Sequence, residues 1–354
     1  MTGLVGTIER MEQTGAADRA WLAALLGSDA SEAEQLFDAA DRVRAALVGD
    51  EVHLRALIEF SNHCRRNCCY CGLRRDHRDL PRYRMAPDEI VLTCRRAAAL
   101  GYRTMVLQSG EDAWYTAPVL ASIVHQIKES CDVAVTLSIG ERTEQEYRLL
   151  RSAGADRFLL RMETSSPELY GDLHPDSDWH ERLTCLRSLR ASGFQVGSGV
   201  LIGLPGQNLA MLAQDLLFLQ ELDLDMVGVG PFIPHPDTPL AHAGVGRIDL
   251  ALRFVACLRL LCPRALIPAT SALSALAPDG WERGLTAGAD ALMPNVTPAR
   301  YRELYQLYPG RPSAAEDAAS LRACAEAMVR GLGRRVGDGP GHSRLRRRDA
   351  ALAV

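Results

Sequence analysis

The chain has 354 residues, of which 47% are hydrophobic and 24% charged, with a net charge of −4. That is ample apolar material for a large core, and the length allows one to three domains. The slight negative charge argues against nucleic-acid or membrane-surface partners, and no apolar run reaches membrane-spanning length.

Glu9, Arg10 and Glu12 stand where a secretory leader would need an apolar stretch, so the expected location is the cytoplasm. The pattern predicts a helical extension over residues 1–49, with its clearest stretch at about 17–48. Short apolar strands then alternate with longer amphipathic helices. The predicted strands are Leu54–Phe60, Thr104–Gln108, Val133–Ser138, Arg157–Arg161, Gln195–Ile202, Met226–Val229, Ala265–Ala269 and Ala291–Met293. Helices are predicted between them, among others at Pro87–Leu100, Glu144–Ala153, Glu181–Ala191, Leu209–Leu222 and Leu250–Leu261. Gly101, Gly154, Gly193 and Gly288 follow helical patterns and read as C-caps. The fold class is therefore α/β, a TIM-type (β/α)8 barrel over residues 50–335, with a six-stranded partial barrel as the alternative. Residues 336–354 carry the run Arg344-Leu345-Arg346-Arg347-Arg348 and read as a solvated basic tail.

Just after the first predicted strand comes Cys64-Arg65-Arg66-Asn67-Cys68-Cys69-Tyr70-Cys71. Read as C-x3-C-x2-C, with Cys69 a bystander, the run offers three thiolates, enough for three corners of a [4Fe–4S] cube. The fourth iron then lacks a protein ligand and can chelate a small molecule, as it does S-adenosylmethionine (SAM) in radical SAM enzymes. A zinc site would need a fourth ligand, with His63 and His77 near. A C-x-x-C redox pair would leave Cys64 idle. A disulfide framework does not suit a long chain without a secretory signal. Cysteines 94, 131, 185, 257, 262 and 324 read as buried small hydrophobes of a reducing compartment.

Strand ends of such barrels hold the active site. Nearly every predicted one here collects polar groups or glycines. Ser109-Gly110-Glu111 could bring a carboxylate and open backbone to an ammonium, or be an ordinary turn. Glu163 could accept from a ribose or amino group, and Arg182 could pair with a carboxylate or form a surface ion pair. Gly203-Leu204-Pro205-Gly206 could pass a nucleoside or be a tight turn. The proline-rich loop Pro231–Pro239, around His235 and Asp237, reads as a positioned active-site loop or a rigid connection. Tyr301, Tyr305 and Tyr308 recur at near-helical spacing, which by itself favours core packing.

Residues 59–76, 106–112, 228–240 and 305–310 together resemble HydE, the family of radical SAM maturases of [FeFe]-hydrogenase related to biotin synthase and methylornithine synthase. The resemblance covers about residues 50–335. It implies Cys64, Cys68 and Cys71 as ligands of a [4Fe–4S] cluster, and Tyr70, Ser109, Glu163 and Arg182 as SAM-binding residues. It further implies Thr136, Arg157, Arg161, Met226, Thr270, Ser271, Tyr305 and Tyr308 near the substrate. The implied task is radical attack on a cysteine-bound iron carbonyl cyanide in assembly of the diiron subcluster. Implied partners are HydG- and HydF-like maturation proteins and a flavodoxin or ferredoxin as electron donor.

Two departures stand out. HydE proteins often carry three further cysteines near the C-terminal end for an accessory cluster, whereas Arg311–Cys324 keeps only Cys324. No second cluster is expected. Met162 stands where many relatives have histidine, which leaves open a different small substrate, such as the amino acid of a methylornithine-type mutase. The remaining alternative is a non-catalytic iron–sulfur or zinc protein.

Overall fold

Parallel strands need a long return crossing, and the helix-length spacing between the apolar runs supplies one each time. The computed structural model describes residues 3–311 and 317–343. Its strands are β1 (Glu51–Leu54), β2 (Ala56–Ser61), β3 (Thr104–Ser109), β4 (Ala134–Ser138), β5 (Arg157–Leu159), β6 (Gln195–Ile202), β7 (Met226–Pro231), β8 (Pro268–Ala269), β9 (Ala291–Leu292) and β10 (Arg335–Val336). All pairings between them are parallel.

The run expected at Leu54–Phe60 is split at Arg55, and that split closes the barrel. Its first half pairs with β9 through His53 and Ala291, and its second half with β3 through Leu57 and Val106. Leu57 also bridges Asn295, with Leu57 N–H donating to Pro294 O and Val296 N–H to Leu57 O, both at 2.9 Å. The sheet order β10-β1-β9-β8-β7-β6-β5-β4-β3-β2 thus returns to the segment where it began, giving eight staves. The expected (β/α)8 barrel is present and the six-stranded alternative is not. The seventh and eighth staves, β8 and β9, are two residues each, shorter than the predicted Ala265–Ala269 and Ala291–Met293. β10 lies outside the barrel beside β1.

Gly101, Gly154, Gly193 and Gly288 adopt φ of 93°, 104°, 85° and 107°, the left-handed geometry that ends a helix. The N-terminal extension is three helices, Leu4–Thr14, Arg19–Leu26 and Ala30–Leu47; Asp18 caps the second, and an Asp29–Glu32 capping box opens the third. Their buried Leu22, Leu25 and Leu36 join Phe254 and Leu258 of the helix Ile248–Leu261 in the main core.

The N-terminal mouth of the barrel is plugged from below. Pro340 O accepts from Arg157 Nη2 at 2.6 Å and Thr104 Oγ1 at 2.8 Å, and Ser343 N–H donates to Gln195 Oε1 at 3.0 Å. Residues 337–343, assigned to the tail by composition, therefore sit under the first residues of β3, β5 and β6. The run Arg344–Arg348 lies outside the described residues. Of the scattered cysteines, Cys94 and Cys257 are buried as expected, whereas Cys324 is exposed.

One fully buried ion pair ties the seventh and eighth staves to the helix layer. Arg259 Nη2 meets Asp290 Oδ2 at 3.2 Å, and the same guanidinium donates to the carbonyls of Gly288, Pro263 and Ala265 at 2.8–3.0 Å. Asp290 also accepts from Ile267 N–H at 2.8 Å through its carboxylate and from His53 N–H at 3.0 Å through its carbonyl. Asp290→Ala, which strands a buried cation, is expected to lower the unfolding free energy by about 3–5 kcal/mol, read from the denaturant midpoint. A shift below about 1 kcal/mol would remove this pair from the account of barrel closure.

Candidate active site

The C-terminal strand ends enclose a cavity of about 310 Å³. Cys64, Cys68 and Cys71 line one end of it, and no fourth thiol does. The cysteine loop is shaped by backbone contacts with neighbouring strand ends. Gly110 N–H donates to Ser61 O at 3.1 Å and Glu111 N–H to Cys64 Sγ at 3.3 Å. A Cβ on Gly110 would stand 2.3 Å from His63 O, so glycine here serves the approach of two loops. On the far side, His235 N–H donates to Tyr70 O at 3.2 Å and Leu240 N–H to Cys69 O at 3.1 Å, so the proline loop is docked on the cysteine loop. Cys69 itself turns out of the cavity toward Asp172 O, 3.5 Å away, which fits its reading as a bystander.

Burial, then the adjacent Cys71 and Cys64, push the Cys68 thiol well above its usual range, and burial pushes Cys71 up to about 12. Three such sulfurs cannot all ionise side by side without a cationic centre among them. The donor set therefore fits a cluster bound by three thiolates, and disfavours a free redox dithiol.

Beside the sulfurs lies a carboxylate–guanidinium lattice. Glu111 accepts from Arg66 at 2.7 Å and Arg65 at 3.0 Å, and lies 3.8 Å from Arg182. Glu141 pairs with Arg182 at 2.7 Å and with Arg66. Gly140, at φ 74°, makes room for this: a Cβ there would fall 1.9 Å from Glu111 Cγ. The lattice holds three guanidiniums to two carboxylates, leaving a net cation next to the thiols. Arg182 is thus fixed in the site and is not a surface ion pair.

Glu163 is the strained residue of the site, with φ 67° where a non-glycine residue is uncommon. Its backbone pairs with the sixth strand through Glu163 N–H to Gly199 O at 2.9 Å and Leu201 N–H to Glu163 O at 3.0 Å. That kink directs the carboxylate into the cavity. Arg161 Nη2 lies 3.2 Å from Glu163 Oε2, but out of hydrogen-bond alignment, so this buried oxygen keeps an unused acceptor. Burial raises the Glu163 pKa, and Arg161 and Arg182 oppose the rise.

The floor is cationic and incompletely paired. Arg55 interrupts the first stave and points inward; its Nη1 approaches Met226 Sδ at 3.2 Å, while Nε and Nη2 have no hydrogen-bond partner. Thr136 Oγ1 and Arg161 Nε are likewise buried without one. The side wall is tyrosine-rich. Ser271 Oγ and Tyr308 OH are 2.8 Å apart, Gln108 Nε2 donates to Tyr305 OH at 3.4 Å, and Arg311 Nη1 donates to Tyr305 O at 2.6 Å while its other arm pairs with Glu59.

Every site residue expected from the sequence lines this cavity except Arg157, which is held under the barrel by Pro340 and His342. Met162 is fully buried in the core and is absent from the lining, so its thioether does not alter the cavity's chemistry. The Gly203–Gly206 segment is a turn closed by Gln207 Oε1, outside the cavity. The helix expected to carry the tyrosines ends at Arg302; Tyr301 stacks on Tyr83, whereas Tyr305 and Tyr308 face the cavity. Arg55 and Arg311 were missed. A charge inside an apolar strand was a usable signal for Arg55, and Arg311 had none.

Residues 58–219 match the Radical SAM superfamily. The chain is 49% identical over 330 residues to the [FeFe] hydrogenase maturase subunit HydE of Thermotoga maritima, spanning 93% of this chain and 94% of that one. It is 30% identical over 272 residues to 3-methylornithine synthase of Methanosarcina acetivorans, 76% and 77% of the two chains. The crystal structure of methylornithine synthase (PylB) superposes with a TM-score of 0.80 at 24% identity, covering 99% of this chain and 100% of that one, and so shares the fold. A closed barrel with three thiols, a carboxylate–guanidinium lattice and this extent of identity places the chain in the HydE family of radical SAM enzymes.

Proposed function

We propose that this protein matures an [FeFe]-hydrogenase, using a SAM-derived radical on an anionic, cysteine-bound iron carbonyl cyanide to advance assembly of the diiron subcluster. Cys64, Cys68 and Cys71 would hold the [4Fe–4S] cluster. When bound, cluster and SAM supply one-electron reduction of the sulfonium to a 5′-deoxyadenosyl radical, so the hard chemistry is theirs. The protein's part is to bind, orient and exclude water. Glu163 accepts from the amino or ribose groups of SAM, the net cation of the lattice of Arg65, Arg66 and Arg182 with Glu111 and Glu141 faces its carboxylate, and Tyr70 and Ser109 shape the pocket between them. HydG- and HydF-like partners and a flavodoxin- or ferredoxin-type donor complete the scheme.

The observation that carries the substrate class is the floor. Arg55 places two unpartnered donors in the cavity, and Thr136 and Arg161 add further unsatisfied polar atoms. Such groups are costly unless a ligand satisfies them, and guanidinium donors are satisfied by an anion. Of the acidic lining residues, Glu111 is taken up by Arg65, Arg66 and Arg182, and Glu163 lies beside Arg161. A lysine-like substrate with an ammonium side chain would have to set its cation against Arg55, which disfavours the amino-acid mutase alternative.

Cys68→Ala is expected to abolish both the cluster and 5′-deoxyadenosine formation, checked by iron content, electron paramagnetic resonance and chromatography; retained SAM cleavage would defeat the ligand assignment. Glu163→Gln should weaken SAM binding by roughly 10–100-fold, the loss of one charge-assisted hydrogen bond, with the cluster spectrum intact. Arg55→Met should leave SAM binding and thermal stability undiminished, because two of the three lost donor nitrogens had no partner and the third met only the Met226 thioether, yet remove turnover of the iron complex. Unchanged turnover in that variant would refute the anionic-substrate reading.

A further inference from the structure

Outside the cavity, two loops far apart in sequence bring His77, His235 and Asp237 together. His77 Nε2 and His235 Nδ1 each lie 3.6 Å from Asp237 Oδ2, and the three candidate donor atoms fall within 4.8 Å of one another. A tetrahedral zinc ion with bonds of about 2.1 Å sets its ligands roughly 3.4 Å apart, so two of the three edges already have nearly the right length.

The surroundings prepare the donors. His77 Nδ1 is 2.7 Å from Gly72 O and donates to that carbonyl, so in the neutral ring the lone pair sits on Nε2, which is turned to Asp237. A ligating imidazole is normally oriented in this way, through its other nitrogen. His235 Nδ1 accepts from Asp237 N–H at 3.2 Å, which keeps that lone pair free of a proton until something stronger displaces the long bond. Both imidazoles are buried, and burial depresses the His235 pKa, whereas the Asp237 side chain is 60% exposed and offers an entry path. None of the three residues lines the cavity.

We propose that His77, His235 and Asp237 form a site for a divalent cation of the zinc class, with a fourth position open to water. Imidazole donors favour zinc-type metals over magnesium or calcium. The ion would clasp the cysteine loop to the proline loop, whose Phe232 and Ile233 wall the cavity. The ring of His235 already packs on Gly72, where a Cβ would come within 2.5 Å of Cδ2, one residue beyond Cys71.

The test uses anaerobically reconstituted holoenzyme, so that the cluster thiols are already occupied. It is dialysed against micromolar Zn²⁺, with metals counted by mass spectrometry and the zinc K-edge recorded. The expectation is one zinc per chain in addition to four irons, with a nitrogen/oxygen shell at about 2.0–2.1 Å and imidazole scattering. Asp237→Ala, at an exposed position, should weaken zinc binding by at least roughly 10–100-fold with SAM cleavage unchanged. His235→Ala should weaken zinc binding to the same extent. A sulfur shell near 2.3 Å would show zinc at cysteine and overturn the proposal. So would zinc retained at wild-type affinity by Asp237→Ala, or no zinc held by the holoenzyme.

Discussion

Closure of the barrel through one segment, Glu51–Ser61, is the constraint on which the rest depends. That segment pairs with both ends of the strand series, and its last residue leads directly into the cysteine loop. The loop's position is therefore set by the hydrogen-bond register of the whole sheet. Arg55, at the break between the two halves, is carried inward by the same arrangement. Burial there leaves two of its donor nitrogens without a hydrogen-bond partner.

Electrostatic order in the cavity follows from this. Three sulfurs in one short loop repel one another when ionised, and burial raises their pKa values further. The lattice of Arg65, Arg66 and Arg182 with Glu111 and Glu141 sets a net positive charge beside them. At the opposite end Arg55 is cationic again, and between them Glu163 supplies a negative oxygen on a strained backbone. The alternation suits a zwitterionic cofactor lying next to an anionic substrate. Few of these groups are free to reorient, which is the preorganisation that radical chemistry needs.

Stability and function are partly separable here. The Arg259–Asp290 pair and the plug of residues 337–343 act at the helix layer and the barrel floor, away from the thiols. The proline loop does both jobs. It walls the cavity with Phe232 and Ile233 and holds the cysteine loop through His235 N–H and Leu240 N–H.

Much of this was legible beforehand because it is local. The strand–helix alternation, the helix-ending glycines and the C-x3-C-x2-C run all depend on neighbours in the chain, whose steric and hydrophobic preferences act over a few residues. Strand-end logic then brought Glu163 and the cysteine loop to the face where the cavity lies, and the family resemblance added Arg182. Arg157 went the other way: as the first residue of its strand it sits at the floor, and the chain segment that holds it there lies more than a hundred residues downstream. Arg311 entered the cavity through pairing with Glu59, a partner 252 positions away. Met162 shows the same limit, since whether a strand residue faces the cavity or the core depends on how the barrel closes. What the sequence by itself determined was which residue types follow each strand, a matter of local pattern. The tertiary structure alone decided which charges find partners and which are left for a ligand, because that depends on contacts between segments far apart in the chain.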